Sequence, residues 1–299
     1  MSAKYTLLKV IAKILRLQNM MKKPYSQLQK KFKTQTAYPV IPECIEEDLD
    51  FSTFKVGVNP VLHIKHKAPA EQVCIYLIGG GMLKYPKKDE VKEQIKLARL
   101  TGRDMVLPYY PLVPDNSILD VYEMLYQLYK KLIEEYEHEN IAIAGGSSGG
   151  NLALGLISYI NEKGEGIPMP GKIYAASPGT MIYTEEEKRK AKILDGRDLI
   201  MSIIALENIQ AGMENGREVP EYMRYLQRGD YTGLKEAYLI FGGDEVFSAA
   251  ADTIAEQMRK FGVDVRLEIG EGMYHMYSMM PLVPEAKKAY QNMIEYLKI

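Results

Sequence analysis

Ile141-Ala142-Ile143-Ala144-Gly145-Gly146-Ser147-Ser148-Gly149-Gly150-Asn151-Leu152 reads as a buried strand, a tight glycine turn with a serine at its apex, and the start of a helix. Its centre, Gly145-Gly146-Ser147-Ser148-Gly149, fits G-x-S-x-G. That pattern is the nucleophile elbow, a strained strand-to-helix turn that leaves a serine hydroxyl exposed. Glycines flank the serine because so sharp a turn brings backbone against backbone, where a Cβ would collide. The apolar run Ile141 to Ala144 and the helically spaced Leu152, Leu154, Leu156 and Ile157 supply the strand and helix that such a turn joins. The bland alternative is a glycine-rich βα turn without chemistry, because fold does not imply function.

Outward from this stretch, strands and helices alternate. Val73 to Ile78 is a continuous apolar strand ending in Gly79-Gly80-Gly81. Asp104 to Pro108 and Lys172 to Ser177 are further strands, the second stopped by Pro178-Gly179. Ala237 to Phe241, ending in Gly242-Gly243, and Val263 to Ile269 are the late ones. Lys55 to Val58 and Val61 to Lys65 look like a short antiparallel start joined at Asn59-Pro60. Helical spacing marks Glu90 to Leu100, Ile118 to Tyr136, Asp252 to Phe261 and Pro284 to Leu297. Apolar strands alternating with helices predict an α/β fold with a mostly parallel sheet covered on both faces. Between Pro178 and Leu234 the rhythm breaks into charge-rich helical stretches, Thr184 to Leu194 and Leu199 to Met213. Ligands bind at the carboxyl ends of parallel strands, so a helical insertion there serves as a cap.

Composition fits a globular protein with a sizeable core, as one large α/β domain or two small ones: 299 residues, 46% hydrophobic and 26% charged. A net charge of −1 gives no reason to expect a nucleic-acid partner. Two cysteines, Cys44 and Cys74, point to a reducing, cytoplasmic setting, and Cys74 inside Val73 to Ile78 reads as a small buried hydrophobe. The charge is uneven. Residues 1–35 carry nine Lys or Arg and no acid, which leaves −10 for the rest. Leu7, Leu8, Ile11, Ile14, Leu15 and Leu17 recur with helical spacing among those lysines. A basic amphipathic helix of this kind can lie on an anionic membrane surface. The favoured expectation is that it docks its apolar stripe on its own protein. Lys9 and Lys13 interrupt any secretory apolar core, and no run approaches the length of a spanning helix.

A serine hydroxyl is a weak nucleophile and needs an adjacent base that is itself oriented by an acid. After an elbow of this type the acid and then the histidine follow in the chain. Four histidines are present. His63 and His66, three apart on an early strand, point to opposite faces and disfavour a shared metal. His138 sits at a helix end, in Glu137-His138-Glu139, and reads as solvated. His275, in the loop Gly270 to His275 after the last strand, is the well-placed base. The acid belongs after Ala237 to Phe241, where Asp244 and Glu245 stand side by side and either could hold the imidazole. Amides must await the charge that develops on the attacked carbonyl oxygen. Gly79-Gly80-Gly81 offers them without side chains in the way, and Ser148 N–H adds the positive end of the elbow helix. A phosphate loop is the rival reading of three glycines, but neither Gly-Lys-Ser/Thr nor G-x-G-x-x-G accompanies them.

Over residues 70–295 the chain resembles the hormone-sensitive-lipase branch of the α/β-hydrolases, the carboxylesterases and arylacetamide-deacetylase-like enzymes. Ile78-Gly79-Gly80-Gly81 stands where that family has H-G-G-G, and Tyr110 to Asp115 is similar to its Y-x-L-x-P-E loop. Gly145 to Ala153 is similar to G-D-S-A-G-G-N-L-A, and Gly272-Met273-Tyr274-His275 to G-M-x-H. The resemblance implies an α/β-hydrolase core over 46–179 and 235–299, with a helical cap built from residues 1–45 and the insertion 180–234. Aligning the family's acid block on Gly262 without a gap favours Glu245 over Asp244 as the acid. Ile78 and Gly146 depart from the motif histidine and aspartate, which puts the geometry of the oxyanion loop in doubt while removing no catalytic group.

The resulting expectation is a serine carboxylic-ester hydrolase with Ser147, His275 and Glu245 as triad, and Gly80, Gly81 and Ser148 amides as oxyanion hole. Such a mechanism requires no metal or organic cofactor. From the family, the partner is a small to medium uncharged ester, and pairing of two copies through edge strands or C-terminal helices is an arrangement its members use. Met273, Met276, Tyr277, Met279 and Met280 around His275 either line an adaptable acyl pocket or pack a helix on the sheet. The competing functions are an amidase or peptidase with the same triad, and a small-molecule-binding protein that has lost catalysis.

Overall fold

The computed structural model of the protein describes residues 2–32, 38–39, 41 and 48–298. Its strands are β1 (Leu49–Val56), β2 (Asn59–His66), β3 (Val73–Leu77), β4 (Asp104–Pro108), β5 (Ile141–Gly146), β6 (Lys172–Ala176), β7 (Glu236–Gly242) and β8 (Asp264–Gly270). They form one sheet in the order β1-β2-β4-β3-β5-β6-β7-β8. β2 is antiparallel to β1 and β4, and all other neighbours are parallel. The helices are α1 (Ala3–Ile14), α2 (Leu17–Met21), α3 (Tyr25–Phe32), α4 (Lys88–Thr101), α5 (Ile118–Leu132), α6 (Ser148–Lys163), α7 (Glu185–Asp195), α8 (Ile203–Glu214), α9 (Glu221–Arg224), α10 (Ala251–Lys260) and α11 (Pro284–Leu297).

Successive strand residues point to opposite faces, and each face has its own helical layer. Ile141 and Ile143 of β5 pack with Tyr122 and Leu125 of α5, Ile157 of α6 and Ile254 of α10. Ala142 and Ala144 pack with Val91 and Ile95 of α4 and Met293 and Leu297 of α11. Strands buried on both faces need apolar side chains at every position, which is why they read as continuous apolar runs. Cys74 lies in this interior, where burial pushes its thiol up to about 12.

Two strand readings are corrected. β1 begins at Leu49, not Lys55, and its turn falls at Gly57-Val58, not Asn59-Pro60. Gly57 takes a left-handed φ of 59° that its lack of a Cβ permits. Pro60 sits inside β2, paired with Lys55, near a strand start, where a missing N–H is tolerated.

Helices outside the strand–helix alternation come in two parts, the insertion α7–α9 between β6 and β7 and the N-terminal α1–α3. Thr184 starts α7 in a capping box with Glu187. The two parts are joined by side chains: Gln18 Nε2 donates to the carbonyls of Asp195 (2.6 Å) and Met201 (2.8 Å), and Asn208 Nδ2 donates to that of Lys22 (3.1 Å). α1 is tied to the core as well. Tyr5 Oη donates to the Gly272 carbonyl at 2.5 Å, and Lys9 pairs with Asp244 at 2.9 Å.

The expectation that the N-terminal apolar stripe docks on the protein holds only in part. Leu8 and Leu17 pack on the core beside Tyr5 and Ala12, whereas Leu7, Val10, Ile11, Ile14 and Leu15 are exposed. The physical reason is that the phenol and ion pair of Tyr5 and Lys9 find partners on the core and turn the aliphatic stripe outward. No helix among the described residues is long and apolar enough to cross a membrane.

Candidate active site

Ser147 stands between β5 and α6 with φ 55° and ψ −123°, a conformation an L-residue takes only under constraint. The constraint is close backbone packing. A Cβ on Gly149 would lie 2.0 Å from the Leu77 carbonyl oxygen, and one on Gly145 would lie 2.4 Å from that of Gly149. Ser147 caps α6 without its side chain bonding the helix, which leaves the hydroxyl for other partners.

That hydroxyl meets His275. Ser147 Oγ lies 3.0 Å from His275 Nε2, and His275 Nδ1 lies 2.5 Å from Glu245 Oε2. The other Glu245 oxygen accepts the Gly242 N–H at 2.8 Å, so the fully buried carboxylate has both oxygens in use. His275 is 4% exposed and lies against the Phe247 ring, with centroids 5.2 Å apart. Asp244 turns away to Lys9 and does not reach the imidazole.

The loop after β3 lies beside Ser147. Gly80 and Gly81 take φ of 121° and 64°, conformations that glycine alone adopts without strain. Gly81 N–H donates to Ser148 Oγ at 2.9 Å. Of the three expected oxyanion donors, Gly81 therefore already has a partner, the hydroxyl that stands where the family has alanine. Tyr110 Oη donates to the Ile78 carbonyl (3.1 Å) and Tyr25 Oη to the Gly81 carbonyl (2.9 Å), so the loop is pinned at both ends.

A cavity of about 690 Å³ opens over these groups, and Gly79, Gly80, Gly81, Ser147, Ser148 and His275 all line it. Its cap side is apolar, with Met21, Leu206, Ile209 and Met213. Toward α4 it meets Tyr76, the Lys84–Glu90 ion pair and Gln94. Among the described residues no cluster of His, Cys, Asp and Glu could hold a metal ion.

Residues 74–279 match the family described as alpha/beta hydrolase fold. The chain belongs to that family. As an alpha/beta-hydrolase it is 25% identical over 239 residues to the esterase LipU of Mycobacterium tuberculosis, covering 76% of this chain and 77% of that one. It is 24% identical over 246 residues to an esterase of Acinetobacter venetianus, covering 78% and 77%. Among solved structures, an esterase/lipase from an uncultured bacterium superposes with a TM-score of 0.78 at 19% identity, over 99% of this chain and 98% of the other. An esterase from the bacterial hormone-sensitive lipase family gives 0.74 at 21% identity, over 94% and 96%. The solved structures show the fold, and the curated relatives are bacterial esterases.

Both departures from the alpha/beta-hydrolase motifs have a local counterpart. Ile78 is buried, and the tyrosine bonds to Ile78 and Gly81 hold the loop that the motif histidine would otherwise order. A Cβ on Gly146 would lie 2.5 Å from Met276 Cε and 2.6 Å from Met279 Sδ, so the thioethers fill the place of the missing aspartate. The methionine cluster divides: Met276, Met279 and Met280 line the cavity, whereas Met273 and Tyr277 pack in the core.

Three residues of this alpha/beta-hydrolase escaped the sequence reading. Asp198, buried in the cap insertion, accepts from the amides of Ile200 and Met201 (both 2.8 Å) and of Val246 (2.9 Å), next to Glu245. Burial raises its pKa to about 6. Ser177, at φ 46°, accepts the Met276 N–H at 2.9 Å and braces the His275 loop. Tyr25 is the third. None lies in a motif; only the reading of 180–234 and the N-terminal segment as a cap could have directed attention to Asp198 and Tyr25. His63 and His66 bond Tyr136 and Asp104 and do not line the cavity, and His138, read as solvated, is half-buried with Nδ1 2.8 Å from the Met169 carbonyl oxygen. Cys44 falls outside the described residues.

Proposed function

We propose that the protein is a serine carboxylic-ester hydrolase. The observation that carries this reading is the unbroken hydrogen-bond chain from Ser147 through His275 to Glu245, with its serine end in the cavity. With the imidazole proton on Nδ1 and donated to Glu245, Nε2 is free to accept the Ser147 hydroxyl proton. Ser147 Oγ attacks the acyl carbon, and negative charge gathers on the carbonyl oxygen as His275 becomes imidazolium beside the Glu245 carboxylate. Amides of Gly80 and Ser148 and the N-terminal end of α6 stabilise that oxygen, with the Gly81 amide held on Ser148 Oγ. Collapse of the intermediate passes the proton from Nε2 to the departing alcohol and leaves an acyl-enzyme. Water, deprotonated by the same nitrogen, then attacks the ester and releases the acid and Ser147.

A 690 Å³ cavity with an apolar cap wall and paired charges opposite suits small to medium uncharged esters. Flexible Met276, Met279 and Met280 adapt to different acyl groups. Relatives named as esterases or carboxylesterases favour an ester over an amide. The test is hydrolysis of a series of p-nitrophenyl acyl esters. Wild type should turn over the short acyl chains fastest, and Ser147→Ala should lose about 10⁴-fold or more in kcat. Absence of turnover in wild type, with saturable ester binding, would assign the cavity to a non-catalytic receptor.

A further inference from the structure

The exposed stripe of α1 is unusual for a surface helix. Ile14, Leu15 and Leu7 are 72%, 62% and 59% exposed, and Val10 and Ile11 lie between them. At 100° per residue these side chains fall on one arc of the helix, opposite Tyr5 and Ala12. Contiguous apolar surface of this kind on a soluble protein marks a contact site. Within residues 2–32 the charge has one sign, and the acids that α1 meets, Asp244 and Glu285, are bonded to Lys9 and Ser2. Lys4, Lys13, Arg16 and Lys23 are exposed, and the first acid in the chain is Glu43. Lys9, the lysine on the docked side, is already paired with Asp244.

We infer that this face of α1 docks the protein on an anionic lipid surface, the aliphatic stripe entering the headgroup boundary and the lysines meeting lipid phosphates. Apolar arc and basic flanks together are what such a surface attracts. A second copy of the chain is the poorer occupant, because it would bring two acid-free basic segments face to face. The orientation also suits the cavity. α1 runs into α2, whose last residue Met21 lines the cavity, and Tyr5 holds the Gly272 carbonyl of the His275 loop. The lipid-facing helix thus leads into a segment that lines the cavity.

The test is flotation of the full chain with vesicles of phosphatidylcholine alone and of phosphatidylcholine mixed with phosphatidylglycerol. Wild type should float with the anionic vesicles and be released by high salt. Leu7→Asp with Ile14→Asp should lower the bound fraction by about tenfold or more, with unchanged Tm and unchanged hydrolysis of a soluble p-nitrophenyl ester. Vesicle binding does not depend on catalysis, so its loss and a loss of esterase activity are separate results. No binding by wild type, or equal binding by the double variant, would overturn the inference. So would a marked fall in Tm of the double variant, which would show the stripe covered by the protein itself. A concentration-dependent dimer that the same substitutions dissociate would assign the face to a second copy instead.

Discussion

The carboxyl ends of β5, β6 and β7 and the cap above them are held by different means. At the strand ends backbone touches backbone: Gly149 against Leu77, Gly145 against Gly149, and Gly242 against the carbonyls of Met273 and Tyr274. Nothing larger than glycine fits, so Ser147 and Glu245 are placed by the main chain itself. The cap is held by side chains that bond core backbone, Tyr25 to Gly81, Asn215 to Pro114 and Asp198 to Val246, and by apolar packing of Ala191, Leu206, Met213 and Met223. The difference teaches that the geometry of the Ser147–His275–Glu245 chain resides in the sheet, whereas the helices above it line the cavity.

If that division is right, the deepest loss outside Ser147 and His275 comes from Glu245. Glu245→Gln should lower kcat by about 10² to 10⁴-fold, because the amide can no longer hold the imidazolium, and Asp244→Asn should stay within severalfold of wild type. Equal losses in the two would mean that Lys9–Asp244 pairing, and hence the cap, governs the histidine. Steady-state kinetics on one ester decides it.

Asp198 offers a pH-dependent probe of the cap attachment. Its carboxyl takes up a proton in the fold near pH 6, well above the ordinary carboxylate value of 3.8 in the unfolded chain. The native state therefore binds the extra proton between these values, and stability from this group falls as pH rises from about 4 to about 6, then stays level. The span is on the order of 3 kcal/mol. Urea midpoints of wild type and Asp198→Asn, measured across that range, should converge or diverge by this amount. A parallel pair of curves would show that Asp198 does not titrate there.

Ser148→Ala is the smallest expected change and the most informative about the oxyanion loop. Removing the hydroxyl frees the Gly81 amide for the developing oxyanion, so kcat should rise by about two- to tenfold with KM nearly unchanged. A fall in kcat would indicate that the Ser148 hydroxyl itself donates to the oxygen.

The same division explains what the sequence discloses. Residues whose identity is dictated by close backbone approach, Gly145, Gly149 and Gly242, fall in recognisable strings, and the two-sided burial of β3, β5, β6 and β7 writes itself as apolar runs. β1 is half missed because an edge strand buries few residues: Asp50, Ser52, Thr53 and Lys55 are exposed and dilute its pattern. The acid could be reached only through family spacing, since Asp244 and Glu245 are adjacent and chemically alike; the chain direction at Gly242-Gly243 turns one inward and the other to Lys9. Tyr25, Ser177 and Asp198 act through single long-range bonds, which leave no local signature. The α1 stripe was visible as a stripe, but which side it turns to the core depends on where Tyr5 and Lys9 find partners.

The central claim is that Ser147 is a nucleophile activated by His275. Treatment with a serine-reactive alkylphosphonate, followed by intact-mass measurement and peptide mapping, tests it without assuming a substrate. The account predicts one covalent adduct per chain, mapped to Ser147, absent in Ser147→Ala and formed at least about a hundredfold more slowly in His275→Ala. An adduct on another residue, or labelling of Ser147 that is as fast without His275, would contradict it.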